Sequence, residues 1–468
     1  MRRGVYGLLA ALLVACAASP RSKDGKEAVE SAPPAAAYPS TYRAEVVRSI
    51  VIRGATVLAG DGTRVEGGDV WLEGGVVKAV GRVADAPGGR VIEAQGKWVT
   101  PGIIDAHSHL GVYPSPGVWA TSDGNEATSP VTAEVWAEHS IWPQDPGFQA
   151  ARENGGVTTL LVLPGSANLI GGRGVTLHNV PAVTYQAMKY AGAPHVLKMA
   201  CGENPRRVYG RDRKTSPSTN MGNLAGYRAA FSKAQAYARK WQDWKEKKKD
   251  KGEAPPDRDL QLETLVGVLK GEILVQNHCY RADEMATMLD IAKEFGFKIY
   301  AFHHAVEAYK IANLLAETQT CVATWADWWG FKFESFDGIR ENAAIVHTAR
   351  GDGCAIIHSD SPAGIQRLNQ EAAKAMAAGE RAGLKIAPEQ AIRWITSNPA
   401  RAMGIGGKTG TLKPGLAADV VVWSGDPFSV YSRPDVVLID GVVRFDRSMP
   451  RGEPESDFML GMPTGGQP

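Results

Sequence analysis

The chain has 468 residues, more than one hydrophobic core usually takes but ordinary for a barrel of roughly 250 residues with an appended unit. At 44% hydrophobic and 22% charged residues, with a formal net charge of +2, it reads as a globular protein. Nothing in that balance argues for a nucleic-acid partner. The basic run at 240–259 is interrupted by acidic residues and predicts a solvated helix end and loop.

The N-terminus carries two arginines, an apolar stretch too short to span a bilayer, and then Leu13-Val14-Ala15-Cys16. Residues 1–16 resemble a bacterial lipoprotein signal. That resemblance implies lipidation of Cys16 and export. The protein would then be held by its lipid anchor alone, on the periplasmic side of the outer membrane or at the cell surface. Ala17 after the cysteine fits outer-membrane sorting. Residues 17–47, rich in Ala, Pro, Ser and charge without periodicity, predict a flexible tether.

Short Val-rich runs separated by Gly and Asp-Gly turns over 48–98 predict an antiparallel β element. Residues 403–447 have the same character and would complete one small β-sandwich domain with it, followed by a tail at 448–468. Between them, over 99–402, apolar strand-like runs alternate with helical stretches, which argues for an α/β fold with a (β/α)8 TIM barrel. Four cysteines (Cys201, Cys279, Cys321, Cys354) sit in or beside these runs and are read as buried free thiols, although four allow three pairings.

The first barrel run ends in His107-Ser108-His109. Side chains at i and i+2 of a strand share a face, so both imidazoles would converge on one point, as two ligands of a metal ion do. Further along, "EILVQNHCY" delivers His278, "FKIYAFHHA" delivers His303 and His304, and "GCAIIHSDS" delivers His358 and Asp360.

"VTPGIIDAHSHL" (99–110), "ENGGVTTLLVLPG" (153–165) and "TSNPARAMGIGGKTGTLKPGLAADVVVW" (396–423) together resemble the amidohydrolase superfamily, and within it the imidazolonepropionase-like group. The likeness covers roughly residues 48–445. It implies metal ligands at the C-terminal ends of the barrel strands: His107 and His109 from strand 1, His278 from strand 5, His304 from strand 6 and Asp360 from strand 8. His304 and Glu307 meet the family's His-x-x-Glu spacing, whereas His303 should face the other side of the strand and would ligate only across a bulge. Binuclear members bridge their metals with a glutamate or a carboxylated lysine. Glu203, expected at the end of strand 4, is the first candidate, and Lys198 the alternative.

The resemblance implies one or two zinc ions, or other divalent transition metals. Asp360 would act as general base and then acid on an amide or cyclic amide carbonyl. His358, sharing the face of Asp360, is a candidate substrate contact or a group supporting the ligands from behind. Gly171 and Gly172 in the Gly-rich stretch 164–174, and Trp328 in the aromatic cluster that follows strand 7, are further candidate substrate contacts. His139, His178, His195 and His347 lack metal-like spacing. The expected protein is therefore an exported hydrolase of non-peptide carbon–nitrogen bonds acting on a small-molecule amide. A prolidase-like metallo-dipeptidase, for which the substrate would be a dipeptide, is the neighbouring alternative, and a catalytically decayed binding lipoprotein the rival from another class. Oligomeric state is open, with a homo-oligomer compatible.

Overall fold

Gly and Asp-Gly turns cut the first β-rich stretch into a meander of β1 (Ile50–Leu58), β2 (Arg64–Glu73) and β3 (Val76–Gly81). β4 (Arg90–Glu93) and β5 (Trp98–Pro101) lie parallel to β1 on its other edge, one beyond the other. These elements come from a computed structural model that describes residues 29–449, apart from 48, 85–88 and 252–253. The signal segment with Cys16, the start of the tether and residues 450–468 lie outside the described residues.

The second sheet contains β6 (Ile103–Ser108), β7 (Val157–Val162), β8 (Ile170–His178), β9 (Val196–Ala200), β10 (Leu274–His278), β11 (Ile299–His303), β12 (Cys321–Thr324) and β13 (Ala355–Ile357), paired in chain order. The Asp360 N–H donates to the His107 carbonyl at 3.0 Å, which draws the last strand against the first and closes the barrel. Helices wrap it outside. Pro146–Gly155 starts on Asp145, whose side chain accepts from the Gly147 N–H, and stops at Gly156 in the left-handed conformation. Ala282–Phe295 and Leu368–Arg381 follow the fifth and eighth strands. Phe231, Leu265, Met285, Phe295 and Leu368 are buried in this outer layer, each side chain contributing about 1.5–3 kcal/mol by leaving water.

One barrel strand departs from the expected parallel repeat: β8 runs antiparallel to both β7 and β9. Seven residues join β7 to β8. A parallel crossover needs a dozen or more, so a short link forces a hairpin. No long helix follows β7 or β8, whereas Asn220–Lys251 and Leu260–Lys270 both follow β9.

After the barrel, β14 (Val420–Trp423), β15 (Pro434–Ile439) and β16 (Val442–Asp446) return to the first sheet, with β14 antiparallel to β5. The two chain ends thus form one unit, as expected, but its hydrogen bonding is that of one continuous sheet rather than two. The sheet curls until β3 meets the chain just ahead of β14, where the Val77 N–H donates to the Leu416 carbonyl. Ile52, Val57, Val70, Val99, Val420 and Leu438 fill the enclosed core.

Two further expectations are corrected. Residues 29–47, expected as a flexible tether, are largely exposed but touch the barrel at several points: Val29 and Ala32 are buried, Lys270 Nζ donates to the Ala32 carbonyl, Arg173 to that of Ala35 and Lys189 to that of Tyr38. Tyr42 stacks on His178 at 4.2 Å and donates to Asp440 at 2.8 Å. The cysteines, read as free thiols, form two disulfides, Cys201–Cys279 and Cys321–Cys354. Each joins adjacent parallel strands, at Cα separations of 5.2 and 4.6 Å, within the reach of such a bond. Among the described residues no helix is long and apolar enough to cross a membrane.

Candidate active site

The strand ends bring their polar side chains to one mouth of the barrel. β6 supplies His107, and the loop after it His109. His109 Nε2 lies 3.1 Å from Asp360 Oδ1, His107 Nε2 lies 3.5 Å from the same oxygen, and the two histidine nitrogens are 3.3 Å apart. His304 Nε2 approaches the other Asp360 oxygen at 3.8 Å. His278, at the end of β10, lies with its ring centroid 4.7 Å from that of His304. The expected ligands His107, His109, His278, His304 and Asp360 therefore share one cavity of about 350 Å³.

His304 and Asp360 both take positive φ, 60° and 52°. Such values are uncommon outside glycine and cost energy, and they cluster where function holds a side chain in place. At His304 the consequence is direct. His303 ends β11 on the inner side of the barrel, against His107 and Gln276, and the left-handed turn brings His304 inward as well. The expectation that His303 faces away is thus corrected: its Nδ1 lies 2.9 Å from His107 Nδ1 and its Nε2 2.7 Å from Gln276 Oε1. His303 stands behind His107 and orients it, leaving His107 Nε2 to face the cavity.

Strand 4 carries a second correction. β9 ends at Ala200, so Glu203 falls one turn beyond it, in the helical turn Glu203–Pro205. Its side chain is 37% exposed and sits 3.8 Å from Lys332 Nζ on the cavity wall. Lys198 is fully buried on the cavity floor, with Nζ 3.3 Å from His107 Nε2. The structure thus places Lys198, and not Glu203, among the histidines. Gly202 makes the turn between them, with φ 77°, and a Cβ there would fall 2.3 Å from the Glu334 carboxylate.

None of the four expected substrate contacts, His358, Gly171, Gly172 and Trp328, lines the cavity. Gly171 and Gly172 are buried inside β8; a Cβ on Gly172 would strike the Val135 carbonyl at 2.4 Å, so the smallness of Gly172 serves packing. Trp328 is half exposed beside Trp325 and Phe331, and of these Phe331 lines the cavity. His358 is buried behind His304, its Nε2 2.8 Å from His304 Nδ1, and stacks near Trp325. Glu307 accepts from the Ala282 N–H at the start of a helix. Of the histidines set aside, His178 lies between Tyr42 and Tyr190, and His195 bonds Glu138 at 3.1 Å.

Several residues of the site were not read from the sequence. Ser166, Asn204, Arg207, Tyr280, Phe331 and Lys332 complete the cavity wall. Tyr280 had a signal, since it follows His278 by two. Asp105, on the face of His107 by the same spacing, accepts from the His107 and Ser359 N–H groups at 3.1 Å each.

Burial holds the His107, His278 and His304 rings well below the usual imidazole pKa, with neighbouring cationic groups adding to the effect. All three are thereby neutral, the form that binds metal. Burial likewise lowers Lys198 to about 7, partly opposed by the charge of Asp360, so a sizeable share of its amine is unprotonated near neutrality. Burial raises the Asp360 carboxyl, but the hydrogen bond from His109 and the positive charges of His109, His358 and Lys198 outweigh it, and its pKa stays below the usual range. The donor set His107, His109 and Asp360 lies within 4.8 Å of itself, and these residues fit a divalent transition metal.

Comparison with known proteins agrees in kind. The model of the Amidohydrolase family matches residues 339–445. A crystal structure of an amidohydrolase from Thermotoga maritima MSB8 superposes with a TM-score of 0.77 at 36% identity, covering 85% of this chain and all of that one. Amidohydrolase tasK of Hapsidospora irregularis is 34% identical over 426 residues, 84% of this chain; the chain spans only 42% of that relative's length. A shorter stretch of 54 residues is 52% identical to imidazolonepropionase of Geobacillus thermodenitrificans, covering 10% of this chain and 13% of that protein.

Proposed function

The chain belongs to the amidohydrolase family, and on that premise we propose that it is a metal-dependent hydrolase of an amide or cyclic amide carbon–nitrogen bond. The observation that carries the reading is the convergence of His107, His109 and Asp360, donor atoms 3.1–3.5 Å apart, at the C-terminal mouth of the barrel.

His107, His109 and Asp360 would hold one ion, with His278, His304 and Lys198 beside them as ligands of a second. Zinc suits this imidazole and carboxylate set. When bound, such an ion brings the pKa of water from 15.7 toward about 7 and polarises a carbonyl oxygen. Asp360, kept ionised, takes the proton of the attacking water on a carboxylate oxygen and passes it to the leaving nitrogen. His303 and His358 keep His107 and His304 turned toward the cavity. Lys198, with its depressed pKa, is suited to take up CO2 as a carbamate, releasing a proton, and so to supply a carboxylate where Glu203 stands too far out on the wall.

Export with a lipid anchor at Cys16 forms part of the same reading. It is supported by the disulfides Cys201–Cys279 and Cys321–Cys354, which persist in oxidising compartments. The complete donor set speaks against a decayed binding protein.

The test is steady-state kinetics on cyclic amides, N-acyl amino acids and dipeptides, for wild type and Asp360→Asn, beside metal content. Asn keeps the size of Asp but takes no proton. Turnover should fall by about a hundredfold or more, with a much smaller loss of substrate affinity. Near wild-type turnover in the variant would contradict the role of Asp360.

A further inference from the structure

The cavity floor is committed to the metal-binding set, so selectivity must come from the wall. Its cationic groups differ sharply in what they already hold. Lys332 donates to Glu334 at 2.6 Å and to Asn204 at 3.1 Å, and lies 4.0 Å over the Tyr280 ring. Its charge is spent on fixing the wall.

Arg207 is different. It lines the cavity from an exposed position and makes no hydrogen bond or ion pair among the described residues, its charge acting only at longer range on the exposed Asp212. Its neighbours in the chain are engaged: Arg206 with Asn220, Arg211 with Asp212, and Arg213 over the Tyr209 ring. Arg207 is carried by the π-helical turn Arg206–Asp212, a rare, wide form of helix that is frequent at functional sites. A guanidinium at the rim of a cavity, with its fork unused, matches the two oxygens of a carboxylate. The wall beside it offers apolar surface in Phe331 and the Tyr280 ring.

We propose that Arg207 is the residue that recognises the substrate, and that the substrate is an amide bearing one free carboxylate, as in an N-acyl amino acid. This rests on the reading of the site as a carbon–nitrogen hydrolase. Arg207 acts in binding: it pairs with the carboxylate at the rim while the scissile carbonyl reaches the floor beside Asp360. No part of the proton transfer passes through it.

The experiment compares N-acetyl-L-amino acids with their carboxamides on the metal-loaded enzyme, read as acetate released. Wild type should prefer the acids by about tenfold or more in kcat/KM, the size of a charge-assisted pair. Arg207→Met should bring the acid-to-carboxamide ratio close to one, chiefly through KM, and Arg207→Lys should keep part of the preference. Equal use of acid and carboxamide by wild type, or an undiminished ratio in Arg207→Met, overturns the proposal. If neither series releases acetate, the hydrolase reading fails for these amides, and titration calorimetry with N-acetyl-L-phenylalanine decides the carboxylate claim separately. Binding that Arg207→Met weakens about tenfold or more upholds it. Equal affinity in the two proteins, or no binding to wild type, overturns it.

Discussion

Asp105 on β6 and Ser359, one residue before Asp360, are bonded to each other twice: the Asp105 carboxylate accepts from the Ser359 N–H at 3.1 Å and also from its hydroxyl. The same carboxylate accepts from the His107 N–H. One buried acid thus ties the strand that carries His107 and leads into His109 to the chain that carries Asp360, across the seam where the barrel closes.

Asp105→Ala should therefore destabilise the protein and loosen the site together. It leaves buried N–H groups at His107 and Ser359 without an acceptor, each costing about 1–3 kcal/mol. A chemical denaturation midpoint well below wild type is the expected result. An unchanged midpoint would mean that the seam is held by other contacts.

Lys198 should carry CO2. Incubation with 13C-labelled bicarbonate should give a carbamate signal in the 13C NMR spectrum of wild type that is absent from Lys198→Arg, and the variant should retain at most about half the metal. Glu203→Gln should keep wild-type metal content. If Glu203→Gln loses metal and Lys198→Arg does not, the bridging role returns to Glu203.

The disulfides are checked by peptide mapping of the non-reduced protein, which should recover Cys201 joined to Cys279 and Cys321 joined to Cys354. Removing Cys321–Cys354, which closes a loop of 33 residues in sequence separation, should cost about 2–4 kcal/mol. Four free thiols in the native protein would contradict the pairing.

Cys16→Ser tests the anchor. The thiol is the lipid acceptor in the expected signal, so the variant should appear as an unlipidated precursor and leave the membrane fraction. Membrane partitioning equal to that of wild type would end the lipoprotein reading.

The ends of the barrel strands were legible wherever an apolar run stopped at a histidine or aspartate. Strand periodicity alone put His107 beside His109, and the family likeness added His278, His304 and Asp360. What escaped depended on where each strand stops and how the chain turns after it. β9 ends three residues before Glu203, which leaves Lys198 as the side chain buried beside His107, and a single left-handed residue at His304 lets two consecutive histidines face the same interior. The Gly-rich stretch at 164–174 reads as a loop because of its glycines, but Gly171 and Gly172 lie in a strand pressed against Val135. Disulfide partners 33 and 78 residues apart are neighbours only once the strands are paired, and the burial of Val29 and Ala32 depends on tertiary contacts that no local pattern shows.

The most direct measurement is elemental analysis of the purified protein, wild type beside the double variant His107→Ala/His109→Ala. Wild type should contain at least one transition ion per chain, zinc foremost, and removal of two ligands should greatly reduce it. Metal content unchanged in the double variant, or wild type without metal and hydrolytically active after exhaustive chelation, would contradict a metal-dependent hydrolase at this site.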